Sequence, residues 1–229
     1  MRSRFLIAIV LVWMPVLLGF PRPASASPAQ SSVWIEVSRD PDAVFKGYRL
    51  PHEAEGMGVV VLAREIVTAA HVVWAAKSIT VVDTQGTKRA ARVARIDRDA
   101  DLALLRVETS LEFPATIRAQ PATTGEPVVA VQWQRPNGTA TIATGTVWAP
   151  RWTSNGVSVP TTLTGIKGEK GMSGGGLFDE SGQLVGIVIR IDRTLGYLST
   201  LPVGELCVRF ARCTHAAGRM PRNRAIAAQ

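Results

Sequence analysis

This chain of 229 residues is short of the groups that build metal and redox centres, with two cysteines and three histidines. Cys207 and Cys213 lie six apart near the C-terminus, with His215 the histidine beside them. Zinc sites pair their ligands more tightly and need a fourth, so this cluster does not read as a metal site. No second long apolar run follows Phe20, and nothing later in the sequence is built to span a bilayer. Internal repeats at solenoid periods are also missing. Acidic residues are absent from both ends: residues 1–26 and 206–229 hold eight arginines and no Asp or Glu. Setting those eight aside leaves 18 basic residues, equal to the 18 acidic ones, so the net charge of +8 belongs to the termini. A neutral body with a basic tail is a poor footprint for reading nucleic acid, and no nucleic-acid partner is expected.

The N-terminus carries a secretory pattern instead. Arg2 and Arg4 precede an apolar core from Phe5 to Phe20, and Ala24-Ser25-Ala26 is a small-residue cleavage site. Residues 1–26 are read as a signal peptide cleaved after Ala26, leaving no stable membrane anchor and a secreted or periplasmic protein. Residues 27–32 are expected to be mobile. An exported chain meets an oxidising compartment, which predicts a disulfide between Cys207 and Cys213. Residues 206–229 are read as a short helix running into a basic tail.

From Val33 onward, short β-rich runs alternate with turn residues. They include Gly58–Leu62, Ile66–Ala69, Ile79–Val82, Ala91–Ile96 and Leu102–Val107. A second series after Pro121 comprises Val128–Gln132, Ala140–Val147, Val157–Leu163, Leu177–Phe178, Leu184–Arg190 and Leu198–Thr200. Such spacing predicts an all-β sandwich or barrel without choosing between them.

Three short motifs carry chemistry. Gly171-Met172-Ser173-Gly174-Gly175-Gly176 sets one serine among residues that let the backbone turn tightly and aim N–H groups at one point. Acyl transfer by a serine needs that, because its tetrahedral intermediate carries an oxyanion that wants two fixed donors. Thr68-Ala69-Ala70-His71 offers a general base whose imidazole can take and return a proton near neutral pH. Asp101-Leu102-Ala103-Leu104-Leu105 offers a carboxylate where a strand enters the core. Asp97 and Asp99, interleaved with Arg95 and Arg98, read as solvated turn charge. His52 and His215 read as surface residues.

In this order the three motifs resemble the trypsin-like serine peptidases, and within them the bacterial Deg/HtrA-type branch. Gly56-Met57-Gly58-Val59-Val60-Val61, Gly125-Glu126-Pro127-Val128-Val129-Ala130 and Gly182-Gln183-Leu184-Val185-Gly186-Ile187 extend the likeness from about Val33 to about Val203. The resemblance implies two six-stranded antiparallel β-barrels, about 33–112 and 122–205 within a protease domain of 33–205, and a short C-terminal helix. The length after Val203 is too small for the peptide-binding PDZ module of many such relatives. The resemblance also implies an exported serine endopeptidase that acts on protein or peptide substrates and needs no cofactor. His71, Asp101 and Ser173 would form its triad, and the N–H groups of Gly171 and Ser173 its oxyanion hole. Lys167, Val188 and Ile189 would line the pocket for the residue before the cleaved bond. Two positions depart from the pattern: Met172 replaces the usual Asp or Asn, and Gly176 a frequent Pro. Since the oxyanion donors are backbone groups, the Met172 side chain is expected to point away from them. The rival reading is a catalytically idle fold used as a binding or chaperone module.

Overall fold

The structure, a computed structural model, describes residues 26–134, 138–153 and 157–211. The first half contains β1 (Ser32–Arg39), β2 (Val44–Phe45), β3 (Tyr48–Arg49), β4 (Glu53–Leu62) and β5 (Glu65–Ala69). A single helical turn, α1 (Ala70–Val73), precedes β6 (Ala76–Val82), β7 (Lys88–Asp97) and β8 (Leu102–Val107). The second half contains β9 (Pro127–Gln134), β10 (Thr139–Trp152), β11 (Thr161–Lys167), β12 (Gly176–Asp179), β13 (Leu184–Ile191) and β14 (Tyr197–Pro202). It ends in the helix α2 (Val203–Phe210). Strands β1-β4-β5-β8-β7-β6 close one antiparallel barrel and β10-β11-β14-β13-β12-β9 a second, while β2 and β3 form a separate hairpin.

The apolar runs are continuous because several strands are buried on both faces. Successive side chains on a strand point to opposite sides. Along β1, Val33, Ile35 and Val37 fill the first barrel, while Trp34 faces outward into a core shared with the second. On β8, Ala103, Leu105 and Val107 point inward, and Leu102 and Leu104 join that shared core. The second barrel contributes Phe178, Leu184, Ile187, Ile189 and Leu201 to the shared core and keeps Val128, Val147, Leu177 and Val188 inside. The two barrels are therefore held by a core as apolar as their own interiors, and the cleft between them has fixed walls.

Three segments differ from the sequence reading. The run expected over Val157–Leu163 forms as β11 over Thr161–Lys167. Its threonines are buried but satisfied: Thr161 Oγ1 donates to the Trp152 carbonyl at 3.1 Å, and Thr164 Oγ1 to that of Leu198 at 3.3 Å. An apolar count overlooks such core-facing hydroxyls. Residues 27–32, expected to be mobile, instead form a hydrogen-bonded turn leading into β1. The Ser31 N–H donates to the Ser27 carbonyl at 3.1 Å, and both Ser31 and Ser32 are buried. The β2–β3 hairpin carries no alternating pattern long enough to be read as strands. Residues 1–25 of the expected signal peptide, Cys213 with its expected disulfide to Cys207, and the tail from residue 212 lie outside the described residues.

The tightest approach between the barrels is at Gly174, whose φ is +86°. A Cβ there would meet Met57 O and Thr68 Oγ1 of the first barrel at 2.1 Å. Gly174→Ala should therefore combine left-handed strain with overpacking. We expect a loss of about 2–5 kcal/mol, read as the fall in thermal or denaturant midpoint.

Candidate active site

His71 sits in α1, directly after β5, where the chain leaves the first barrel. Its imidazole is 30 % exposed, while the Asp101 carboxylate beneath it is 2 % exposed. The Asp101 side chain holds the histidine at two points. Oδ2 lies 2.8 Å from His71 Nδ1, and Oδ1 accepts the His71 backbone N–H at 2.9 Å. The Asp101 carbonyl accepts the neighbouring Ala70 N–H at 3.0 Å. With Oδ2 against Nδ1, a neutral ring carries its proton on Nδ1 and leaves Nε2 as a base. Asp101 has a φ of +56°, a strained conformation that Asp tolerates better than most side chains.

A residue passed over by the sequence reading supports this turn. Arg39, at the end of β1, is 1 % exposed and donates to the carbonyls of His71 at 3.1 Å and Val72 at 2.7 Å. Those are end-of-helix carbonyls with no partner inside so short a helix, and a guanidinium fork suits them. Burial lowers the Arg39 pKa from its ordinary value. Thirty-two residues separate Arg39 from His71, and no local pattern links them.

Asp97 also departs from the sequence reading. It is not solvated turn charge: it accepts the Ala100 N–H at 2.9 Å and pairs with Arg209 of α2. Partial burial alone would raise its pKa, but the Ala100 N–H and the Arg209 guanidinium outweigh this and hold it below the usual carboxylate value. Asp97 thus shapes the turn leading into Asp101. Asp99 is exposed at the surface, as expected.

Ser173 lies in the loop joining β11 to β12. Its carbonyl accepts the Met57 N–H at 2.8 Å, the Gly174 N–H donates to Val188 O at 2.6 Å, and the Val188 N–H donates to Gly175 O at 2.7 Å. The loop is thereby stitched to both barrels. Gly171 has a φ of +91°, and a Cβ there would press on the Trp34 ring at 3.1 Å. Among the described residues, the N–H groups of Gly171 and Ser173 have no hydrogen-bond acceptor. Met172 does point away from them: it is 1 % exposed, packs inside the second barrel, and its sulfur accepts the Glu169 N–H at 3.4 Å.

His71, Gly171 and Ser173 share the wall of one cleft of about 520 Å³, together with Arg39, Trp34 and Lys170. No hydrogen bond joins the Ser173 hydroxyl to His71. Such bonds are often long in a substrate-free site. The other three expected residues lie outside that lining. Lys167 is exposed at the end of β11, Val188 is within the second barrel, and Ile189 is in the shared core.

Two closed barrels with a serine loop and a His–Asp pair on their seam define the trypsin-like class of peptidase. Residues 56–187 match the trypsin-like peptidase domain, and the chain belongs to that family. No curated protein matches it. Among solved structures it is similar to the Rv3671c protease of M. tuberculosis in its active form, with a TM-score of 0.70 and 25% identity over 90% of this chain and 97% of that one. The inactive form of the same protease matches with a TM-score of 0.65 and 26% identity, over 82% of this chain and 91% of that one. The HtrA-type protease AlgW, solved with a tripeptide, shares the fold with a TM-score of 0.65 and 20% identity. That match covers 80% of this chain and 62% of AlgW, so the chain spans less than two thirds of AlgW's length.

The Asp97–Arg209 pair yields a pH prediction. The folded pKa of Asp97 lies below its unfolded value, so its stabilisation is full above the ordinary carboxylate pKa of about 3.9 and is lost as pH falls through the lower folded value. Asp97→Asn keeps an oxygen for the Ala100 N–H but loses the charge pair. The melting-temperature gap between parent and variant should be widest above about pH 5 and close toward pH 2–3.

Proposed function

We propose that this chain is an exported serine endopeptidase that hydrolyses peptide bonds in protein or peptide substrates through an acyl-enzyme. In this reading the Ser173 hydroxyl attacks the peptide carbonyl while His71 Nε2 takes its proton. Asp101 holds the imidazole in the required tautomer and stabilises its cation. The oxyanion meets the N–H groups of Gly171 and Ser173. His71 then returns the proton to the leaving amine, and water repeats the sequence on the ester. The family resemblance assigns Lys167, Val188 and Ile189 to the side chain accepted before the cleaved bond, with small or aliphatic residues favoured. Val188 and Ile189, being buried, would act through the shape of the wall behind the cleft and not by contact. Export rests on the N-terminal sequence pattern. Among the described residues no helix is long and apolar enough to cross a membrane.

The observation that best supports the reading is the double grip of a buried Asp101 on His71, at 2.8 and 2.9 Å. A partly exposed surface histidine has no need of so fixed an orientation. The two acceptor-free amides on the same cleft add support. The idle-fold alternative has no comparable observation in its favour.

The test is labelling of the mature protein by a fluorophosphonate probe, with turnover of a casein-type substrate. Parent protein should label at Ser173, and Ser173→Ala should not. Ser173→Ala and His71→Ala should each lose on the order of 10⁴–10⁶ in turnover and be far from additive together. Asp101→Asn should lose about 10⁴, because the amide stabilises the wrong tautomer. A folded Ser173→Ala protein with undiminished hydrolysis would end the serine-peptidase reading.

A further inference from the structure

The ground beside His71 carries a group of cations that the mechanism above does not use. The β2–β3 hairpin turns at Lys46-Gly47, both with positive φ, +50° and +84°. Such two-residue turns favour Asn or Asp before Gly, so a lysine there carries local strain. Phe45, just before it, is buried against the rings of His71 and Trp74, with centroids 6.4 and 5.4 Å away. The Arg98 guanidinium stacks 4.7 Å over Trp74 and 6.0 Å over Phe45, and Lys46 Nζ lies 5.7 Å over Phe45. From the second barrel, Arg193 lies 5.4 Å over Tyr48 of the same hairpin. One residue extra on β13, between the pairs Val188↔Thr200 and Arg190↔Ser199, marks a bulge of the kind that re-aims side chains beside active sites. Arg190 follows it, close enough to Lys46, Tyr48 and Asp101 to feel their charges.

Asp101 and Asp192 attract Arg190 from a distance, but neither carboxylate bonds its guanidinium. Asp101 is committed to His71, and the Asp192 carboxylate is taken by the Trp152 indole N–H and the N–H groups of Thr194 and Leu195. Asp99 meets Lys46 through its backbone carbonyl, at 3.4 Å. The Arg190 side chain makes no hydrogen bond or ion pair with a described residue, and its Nε is buried without a partner. Burial lowers the pKa of both Lys46 and Arg190; the attraction of Asp101 opposes it, and repulsion by a neighbouring arginine, Arg190 for Lys46 and Arg193 for Arg190, adds to it. A guanidinium both partly desolvated and unpaired is costly unless something anionic completes it. The cleft edge supplies the occasion. Beyond Val188, β13 is paired with β14 on one side only, so an extended peptide can lie along its other side.

We propose that Arg190, with Lys46 and Arg193 near it and Arg98 behind Lys46 on the same hairpin ring, forms a subsite that recognises a substrate carboxylate within about three residues of the cleaved bond. This rests on the peptidase reading and adds a substrate class to it: chains acidic near the scissile bond. A fork-shaped guanidinium suits a carboxylate bidentately, and the aromatic rings hold the neighbouring cations in place.

The test is a set of fluorogenic peptides carrying Glu or Gln at each of three positions on either side of the cleaved bond. The mature protein should prefer Glu over Gln at one position or more by about 10- to 100-fold in kcat/KM. That ratio should shrink as salt rises from 50 to 500 mM. Arg190→Gln should bring it toward one, and Arg190→Glu should turn the preference to a Lys peptide. Removing the exposed Arg92 on β7 should leave it unchanged. Equal cleavage of Glu and Gln peptides at every position overturns the subsite. If no peptide is cleaved and no fluorophosphonate label appears, the peptidase reading has failed instead. Anisotropy binding of the same labelled peptides then decides the subsite: Glu bound over Gln upholds it, and equal binding overturns it.

Discussion

Ser173 gives its backbone to the first barrel and its loop to the second. Its carbonyl accepts from Met57, and the glycine after it sits where no side chain fits between the barrels. The hydroxyl and the imidazole come from different barrels, so their relation is only as good as that seam. The seam is good because Trp34, Leu102, Leu104, Phe178, Leu184 and Ile187 pack there as one core. Cores are close-packed and do not deform continuously. The cleft is therefore a by-product of how two barrels must meet to hide their outer apolar faces.

The parts of the site that could be read from sequence were those whose physics is local. A serine among glycines, an aspartate at the mouth of an apolar strand and a histidine at the end of another can be recognised within six residues of chain. The double barrel was legible through the same motifs, whereas strand spacing left sandwich and barrel open. Long-range polar partners were not legible. Nothing around Asp97 announces Arg209, 112 residues away, and nothing around Arg39 announces the carbonyls of His71 and Val72. The hairpin at Lys46 was hidden for a different reason: its strands are two residues each, too short for any alternation.

Met172 shows how a departure from a family pattern can leave the geometry intact. An acid at that place needs a charged partner. The thioether needs only the apolar interior of the second barrel, which already surrounds it, and a weak bond from the Glu169 N–H. At this position the loop that holds Gly171 and Ser173 is thus anchored by packing rather than by a titratable pair.

Arg209 bonds Asp97 and Glu205 together, and Asp97 in turn fixes the turn that ends in Asp101. The last described helix and the His71 ring are therefore linked by four successive rigid pieces: guanidinium, carboxylate, turn and imidazole. The same three side chains thus do two jobs at once: they cap the end of the second half of the chain, and they brace the turn on which the orientation of the imidazole depends.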